Sequence, residues 1–120
     1  MSDDVMSMLP EPKGYRLLIA IPKKEETFKD TKILIAESER KKEEIASIVG
    51  LVVKVGPEAY QDPDKFPAGP WCKEGDFIIM RSYSGTRFKV VTPEGDQEFR
   101  IINDDTVEAV VADPRVVTRI

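Results

Sequence analysis

Short apolar runs separated by turn residues recur along the chain. Most are rich in β-branched and aromatic residues and are bounded by Gly, Pro, Ser or Asp, a pattern typical of strands joined by turns. The predicted strands are "YRLLIAI" (15–21), "IASIVGLVVKV" (45–55), "FIIM" (77–80), "TRFKVV" (86–91), "EFRII" (98–102), "VEAVVA" (107–112) and a further short "RVVTRI" (115–120). Several short strands in one chain predict an all-β barrel or sandwich. Gly50, inside the second run, predicts a bulge or a close approach of the backbone.

Two stretches interrupt the strand pattern. Residues 57–70, "PEAYQDPDKFPAGP", carry four prolines and one glycine, so neither a helix nor a central strand is expected there. Residues 23–44 hold seven basic and seven acidic side chains and cannot bury enough apolar surface to offset the entropy of ordering them. This tract is predicted to be a mobile loop, with one or two helical turns plausible near residues 37–46.

Three aliphatic residues, Ile33, Leu34 and Ile35, stand side by side within the charged tract. On a mobile loop, such a triplet predicts a binding segment for another protein. The alternative is a buried edge strand or helix start in an ordinary core. Phe28, the other large apolar residue of the tract, is interpreted as loop packing rather than as a second anchor.

Length, charge and histidine content narrow the function classes. The 120 residues suffice for one domain, predicted over 13–120 and preceded by a flexible extension over 1–12. A net charge of −4, with acids and bases interleaved, argues against binding to nucleic acid or to an anionic membrane. The chain has no histidine, the commonest general base and metal ligand, so we expect no enzyme activity, no metal and no cofactor.

The single cysteine and the N-terminus indicate a cytoplasmic protein. Cys72 has no partner in the chain for a disulfide, and a free thiol fits a reducing compartment. The start "MSDDVMSMLPEP" lacks the basic and apolar regions of a signal peptide, and no apolar run approaches the roughly 20 residues of a membrane span. The acids of the turn at 103–105 are expected to be solvated.

The order of these elements resembles that of the co-chaperonin (GroES) family. The resemblance rests on "YRLLIAIPKKEE", "KILIAESE", "GLVVKVGPEAY", "WCKEGDFIIMRSYSGTRFKV" and "EFRIINDDTVEAVV", and spans roughly residues 13–112. Thr31 and Lys32 stand where the family usually has a Gly-Gly pair, the chain after the triplet is longer, and the N-terminal extension is additional. Bacteriophages encode divergent members of this family, and these departures would suit one, which would then work in the host cytoplasm.

The resemblance implies a β-barrel protomer with a long mobile loop, assembled as a sevenfold ring. Such a ring caps a GroEL-type chaperonin in its ATP-bound state and encloses unfolded client proteins. Ile33, Leu34 and Ile35 match the residues that bind the apical domain of a chaperonin subunit. ATP and magnesium would belong to the partner, and this chain would need no cofactor of its own.

The resemblance also implies roles for aromatic residues. Residues 57–70 lie where the family places a roof hairpin, and their four prolines predict a roof that is open or differently built. Tyr60 and Phe66 are interpreted either as roof contacts or as local packing. Tyr83 matches the family's aromatic residue that faces the enclosed cavity.

The end of the chain has two interpretations. Because rings of this family join through edge strands, Val116, Val117 and Ile120 are candidates for contact with a neighbouring subunit. The alternative is a frayed tail.

Two other function classes compete with the co-chaperonin hypothesis. A monomeric small β-barrel adaptor or nucleic-acid-binding module with a disordered interaction loop predicts a basic groove with exposed aromatics, which the balanced charges do not supply. An enzyme that uses carboxylates predicts paired acids in a pocket, and no feature of the sequence marks such a pair. Oligomeric state separates the first hypothesis from both rivals.

Overall fold

Six antiparallel strands dominate the part of the chain that the structure describes. The computed structural model describes residues 3–21, 48–93 and 95–117. In chain order the elements are α1 (Asp3–Met8), β1 (Arg16–Ala20), β2 (Val49–Val55), β3 (Phe77–Met80), β4 (Thr86–Thr92), β5 (Gly95–Asn103), a 3₁₀ turn (Asp104–Thr106), β6 (Val107–Val111) and a second 3₁₀ turn (Pro114–Val116). The all-β prediction is confirmed. No helix within the described ranges is long and apolar enough to cross a membrane.

The sheet curls into a barrel, as its strand order requires. The order is β4-β5-β1-β2-β3-β6, so β5 and β6 are four positions apart in the sheet although they follow one another in the chain. In a flat sheet that separation would be about 19 Å, at roughly 4.8 Å per strand. The connection from Asn103 to Val107 spans only four Cα steps, about 15 Å at most. The two strands can be joined only because the sheet bends round on itself.

Apolar side chains fill both sides of the curved sheet. Successive residues of a strand point to opposite faces, so Leu17 and Ile19 lie inside the barrel while Leu18 and Ala20 lie outside it. The inner cluster comprises Leu17, Ile19, Ile21, Val52, Ala59, Tyr60, Phe66, Cys72, Ile78, Met80, Ile102 and Val107. The outer cluster comprises the buried Leu9, Leu18, Ala20, Val53 and Phe99, with Met6, Leu51, Phe88, Val90 and Ile101 packed against them. Because both faces of β1 are covered, its run "LLIA" is apolar without alternation.

Gly50 marks a close approach, as its place in the second run predicted. A Cβ atom at this position would lie 2.1 Å from Cγ2 of Ile19 and 3.3 Å from Cε of Met80. The missing side chain therefore lets β1 and β3 pack tightly on β2.

The N-terminal segment, predicted as a flexible extension, contains a short helix that the sequence did not indicate. Leu9, which directly follows this helix, is 3% exposed and belongs to the outer cluster. Lys54 of β2 donates to the Leu9 carbonyl at 3.4 Å and forms an ion pair with Glu11 at 2.5 Å. These contacts place residues 6–11 against the sheet.

The prediction of a strand over 115–120 is wrong for residues 115–117, the part of this range that the structure describes. Residues 114–116 form a 3₁₀ turn, with Pro114 at its start. The Asp113 carboxylate accepts a hydrogen bond of 3.0 Å from the N–H of Arg115. Proline and an aspartate cap both favour a turn over a strand at this position.

Candidate functional site

In the chain, the charged tract lies between β1 and β2, which are neighbours in the sheet. The two strands run antiparallel with Ala20 opposite Leu51, so Ile21 and Ile48, the described residues that flank the tract, lie at the same end of this strand pair. The triplet Ile33–Leu34–Ile35 and the predicted helical turns at 37–46 lie outside the described residues.

The described residues that flank the tract in the chain are hydrogen-bonded to neighbouring strands. The buried Ile21 donates its N–H to the Glu98 carbonyl at 2.9 Å and accepts from the Gln97 side chain at 2.8 Å. The Met80 N–H donates to the Ile48 carbonyl at 2.8 Å. Ile21 and Ile48 are therefore fixed on the barrel, and Gln97 is a contributor that the sequence pattern did not single out.

The proline-rich excursion folds around three aromatic rings. Tyr60 and Phe66 meet edge to face with ring centres 4.9 Å apart, and Phe66 meets Trp71 in the same way at 4.9 Å. Tyr60 and Phe66 are each 5% exposed and belong to the inner cluster. Both side chains pack locally within the protomer, and a contact in the roof of a ring stays a prediction. Trp71 lies at the edge of the group, with 45% of its surface exposed.

A buried carboxylate joins the excursion to the turn between β5 and β6. The Asp104 side chain accepts a hydrogen bond of 3.0 Å from the Tyr60 N–H, and the Tyr60 hydroxyl donates to the Asp104 carbonyl at 2.8 Å. Asp104 is 3% exposed, so the expectation that all acids of this turn are solvated is wrong for it. The reason is that Tyr60 has a φ of 61°, and the carboxylate satisfies the N–H that this conformation turns inward.

Cys72 is a packed thiol. Its Sγ lies 3.4 Å from the Tyr60 hydroxyl, and its side chain is buried in the inner cluster. Burial raises the pKa of the Cys72 thiol. A reactive cysteine needs a lowered pKa and access to solvent, and Cys72 has neither.

A cleft of about 480 Å³ opens beside this network. It is lined by Tyr15, Glu58, Gln61, Asp62, Lys65, Phe66, Asn103, Asp104 and Asp105. Lys65 forms an ion pair with Asp105 at 2.6 Å across one side. Within the described ranges, no group of three His, Cys, Asp or Glu residues is arranged to hold a metal.

Tyr83 lies in the turn between β3 and β4, with 56% of its surface exposed. The turn is held by Arg100 of β5, whose Nε donates to the Ser84 carbonyl at 2.8 Å. Arg100 is completely buried, and burial, followed by the nearby charge of Arg87, lowers the pKa of its guanidinium. Nothing in the sequence singles out Arg100, because a charged residue within a strand is ordinarily expected to face solvent.

The three C-terminal candidates differ in their surroundings. Val116 is 76% exposed, whereas Val117 packs with Ile48 against the buried Val49. Ile120 lies outside the described residues. Their contact with a neighbouring subunit stays a prediction.

Comparison with known proteins gives the family of this fold. A family model described as the chaperonin 10 kDa subunit matches residues 11–111. Two proteins named co-chaperonin GroES, from Caldicellulosiruptor saccharolyticus and Caldicellulosiruptor bescii, are each 32% identical over 102 residues, which is 85% of this chain and 96% of the relative. The chain belongs to the chaperonin 10 kDa subunit family. The match of this co-chaperonin family takes in all six strands and the charged tract, and it begins after α1.

Proposed function

We propose that this co-chaperonin caps a GroEL-type chaperonin in its ATP-bound state and encloses unfolded client proteins. It acts as a heptameric ring in the cytoplasm and has no catalytic site or cofactor of its own. Ile33, Leu34 and Ile35 bind the chaperonin. Membership of the chaperonin 10 kDa subunit family supports the partner class.

The observation that carries the proposal is the position of the triplet in the chain, between two strands that the structure pairs. Three aliphatic residues lie within a tract of balanced charge, and the tract is inserted between two paired strands whose ends are hydrogen-bonded on both sides. A segment of this composition gains little from folding onto its own barrel, so its apolar residues remain available to a partner.

The energetics favour weak contacts made many times. Burying three aliphatic side chains contributes about 4–9 kcal/mol, at roughly 1.5–3 kcal/mol each. Ordering about six residues costs on the order of 1–2 kcal/mol per residue, roughly 6–12 kcal/mol in all, which offsets the whole of that gain. One loop alone therefore binds weakly. In a ring, the first contact places the others at high effective concentration, so small changes in each chaperonin groove are multiplied and permit both capture and release.

Co-sedimentation with a bacterial GroEL-type chaperonin, with and without ATP, tests the proposal. We expect the protein to sediment with the chaperonin when ATP is present, and an Ile33→Asp/Ile35→Asp variant to stay in the supernatant. Thr31→Asp/Ser38→Asp is the matched control, because it adds the same charge to the same tract and spares the triplet. If the Ile33→Asp/Ile35→Asp variant sedimented with the chaperonin as well as the control variant does, the triplet would not be the contact.

Native mass spectrometry of the protein alone counts the protomers in the assembly. Seven copies are expected. A monomer that does not bind the chaperonin would exclude the co-chaperonin role and leave the small-barrel adaptor.

A further inference from the structure

The turn between β3 and β4 holds an exposed aromatic residue in a strained backbone conformation. Tyr83 has a φ of 54°, within the left-handed region that residues other than glycine rarely adopt, and its side chain is 56% exposed. Such a conformation persists only where the surrounding structure fixes it. The source of that constraint lies in the contacts of the turn.

Local bonds and close packing constrain the turn in part. The Ser84 hydroxyl donates to the Arg81 carbonyl at 2.6 Å, and the Ser84 N–H donates to the same oxygen at 3.3 Å. A Cβ atom at Gly85 would lie 2.2 Å from the carbonyl oxygen of Ile101, so the end of the turn rests directly on the backbone of β5.

A further constraint comes from a buried guanidinium on β5. Arg100 Nε donates to the Ser84 carbonyl at 2.8 Å, and Nη2 donates to the Ser84 hydroxyl at 3.0 Å and to the Arg81 carbonyl at 3.4 Å. A guanidinium is planar, with its donors in a fixed fork, so several bonds to one turn set both its position and its orientation. A buried charge is costly unless its donors are satisfied, so Arg100 cannot easily release the turn.

We propose that Arg100 is a positioning residue that locks the Arg81–Gly85 turn and presents Tyr83 as a rigid aromatic contact for polypeptide enclosed by the ring. A rigid aromatic side chain loses little conformational entropy when it makes a contact, so fixing it in advance favours weak and repeated binding. The contact with enclosed polypeptide rests on the proposed function and on the match of Tyr83 to the family's cavity-facing aromatic residue, whereas the lock itself depends on neither.

A single fluorophore can report on the lock in the isolated protein. Trp71 is the only tryptophan, so Trp71→Phe combined with Tyr83→Trp places one indole in the turn. In this background we expect Arg100→Met to raise the amplitude of nanosecond motion in time-resolved anisotropy at least twofold. Arg87→Met is the matched control, because Arg87 lies directly opposite in β4 and its ion pair is with Glu98. An unchanged decay in Arg100→Met, or an equal change in Arg87→Met, would overturn the lock.

Two milder variants keep the test informative if Arg100→Met fails to fold. Ser84→Ala removes only the hydroxyl and should raise the same motion by a smaller amount. Arg100→Lys keeps the charge but loses the fork, so it should also raise the motion above that of the parent. If neither variant changes the decay, the lock is excluded.

The client contact is tested with the wild-type tryptophan, by the refolding yield of a chaperonin-dependent client in the presence of ATP. Tyr83→Ala and Arg100→Met should lower the yield, while both variants still sediment with the chaperonin. A loss with Tyr83→Ala but not with Arg100→Met would overturn the positioning role, and no loss with either would overturn the client contact. If the wild-type protein itself does not sediment with the chaperonin, the proposed function fails while the anisotropy result stands.

Discussion

The Asp104 carboxylate accepts a hydrogen bond of 3.0 Å from the backbone N–H of Tyr60, 44 positions earlier in the chain. The Tyr60 hydroxyl returns a bond of 2.8 Å to the Asp104 carbonyl. Two bonds in opposite directions thus join the proline-rich excursion to the turn that closes the barrel. Because both residues are buried, neither bond can be replaced by water without opening the inner cluster.

We expect Asp104→Ala to lower the free energy of unfolding by about 2–3 kcal/mol, since it leaves the buried Tyr60 N–H without an acceptor and removes a bond to a charged group. The midpoint of urea unfolding measures this change. Asp105→Ala is the control: Asp105 is exposed and forms a surface ion pair with Lys65, so its loss should shift stability by less than about 1 kcal/mol. Equal midpoints for the two variants would contradict the role given to Asp104.

Cys72 should react slowly with a thiol reagent in the native protein and rapidly in urea. The thiolate is the reactive form, and burial both blocks access and raises the thiol pKa in the folded state. The rate of reaction with a disulfide reagent, followed from pH 7 to pH 10, measures both effects on a single thiol. In urea the rate should level off near the ordinary thiol pKa, whereas in the native protein it should still be rising above that pH.

The raised pKa of the Cys72 thiol also determines the direction in which stability changes with pH. The folded state holds the thiol proton more tightly than the unfolded state, so this contribution is fully present below the unfolded thiol pKa. It is lost as the pH rises through that value toward the raised folded pKa. Cys72→Ala should flatten the decline in stability between about pH 8.5 and pH 10.

If the native protein reacted with the disulfide reagent as fast as the protein in urea does, Cys72 would be accessible to solvent and the buried position given to it would be wrong.

The strands were predictable because their signals are local. The run "YRLLIAI" is apolar, β-branched and bounded by Gly14 and Pro22, and β1 lies inside it. Gly50 likewise predicted a close approach. A glycine weakens the middle of an apolar strand, so its presence there indicates that a neighbouring strand leaves no room for a side chain.

The residues that hold the turns could not be predicted, because their reasons lie far away in the chain. Arg100 satisfies carbonyls of Arg81 and Ser84, 16 or more positions earlier, and nothing in "EFRII" distinguishes this arginine from one that faces solvent. Asp104 and Tyr60 are likewise hydrogen-bond partners that lie far apart in the chain. A charged residue, or a residue in a short turn, can be predicted to be exposed only when no distant backbone group uses it as a hydrogen-bond partner.

Gly50→Ala should destabilise the protein by about 1–3 kcal/mol, because its Cβ would overlap Cγ2 of Ile19. Ile19→Ala removes that methyl group and therefore makes room. In a double-mutant cycle, we expect Gly50→Ala to cost at least 1 kcal/mol less in the Ile19→Ala background than in the wild type. Additive effects on the urea midpoint would mean that the two positions do not compete for space.

Leu9 lies before the match to the family model, which begins at residue 11. Leu9 and Met8 are adjacent and differ in burial, at 3% and 67% exposed. Leu9→Asp should cost about 2–4 kcal/mol, because it removes a buried side chain from the outer cluster and sets a charge against it.

Met8→Asp introduces the same charge one position earlier and should change stability by no more than about 0.5 kcal/mol. Urea midpoints measure both variants, and binding of a hydrophobic dye should rise only for Leu9→Asp if the outer cluster becomes exposed. Should the two substitutions have equally small effects, residues 6–11 do not cover the sheet in solution. In that case Leu18, Val53 and Phe99 would present an apolar face that another surface must cover, and sedimentation would show it as concentration-dependent association.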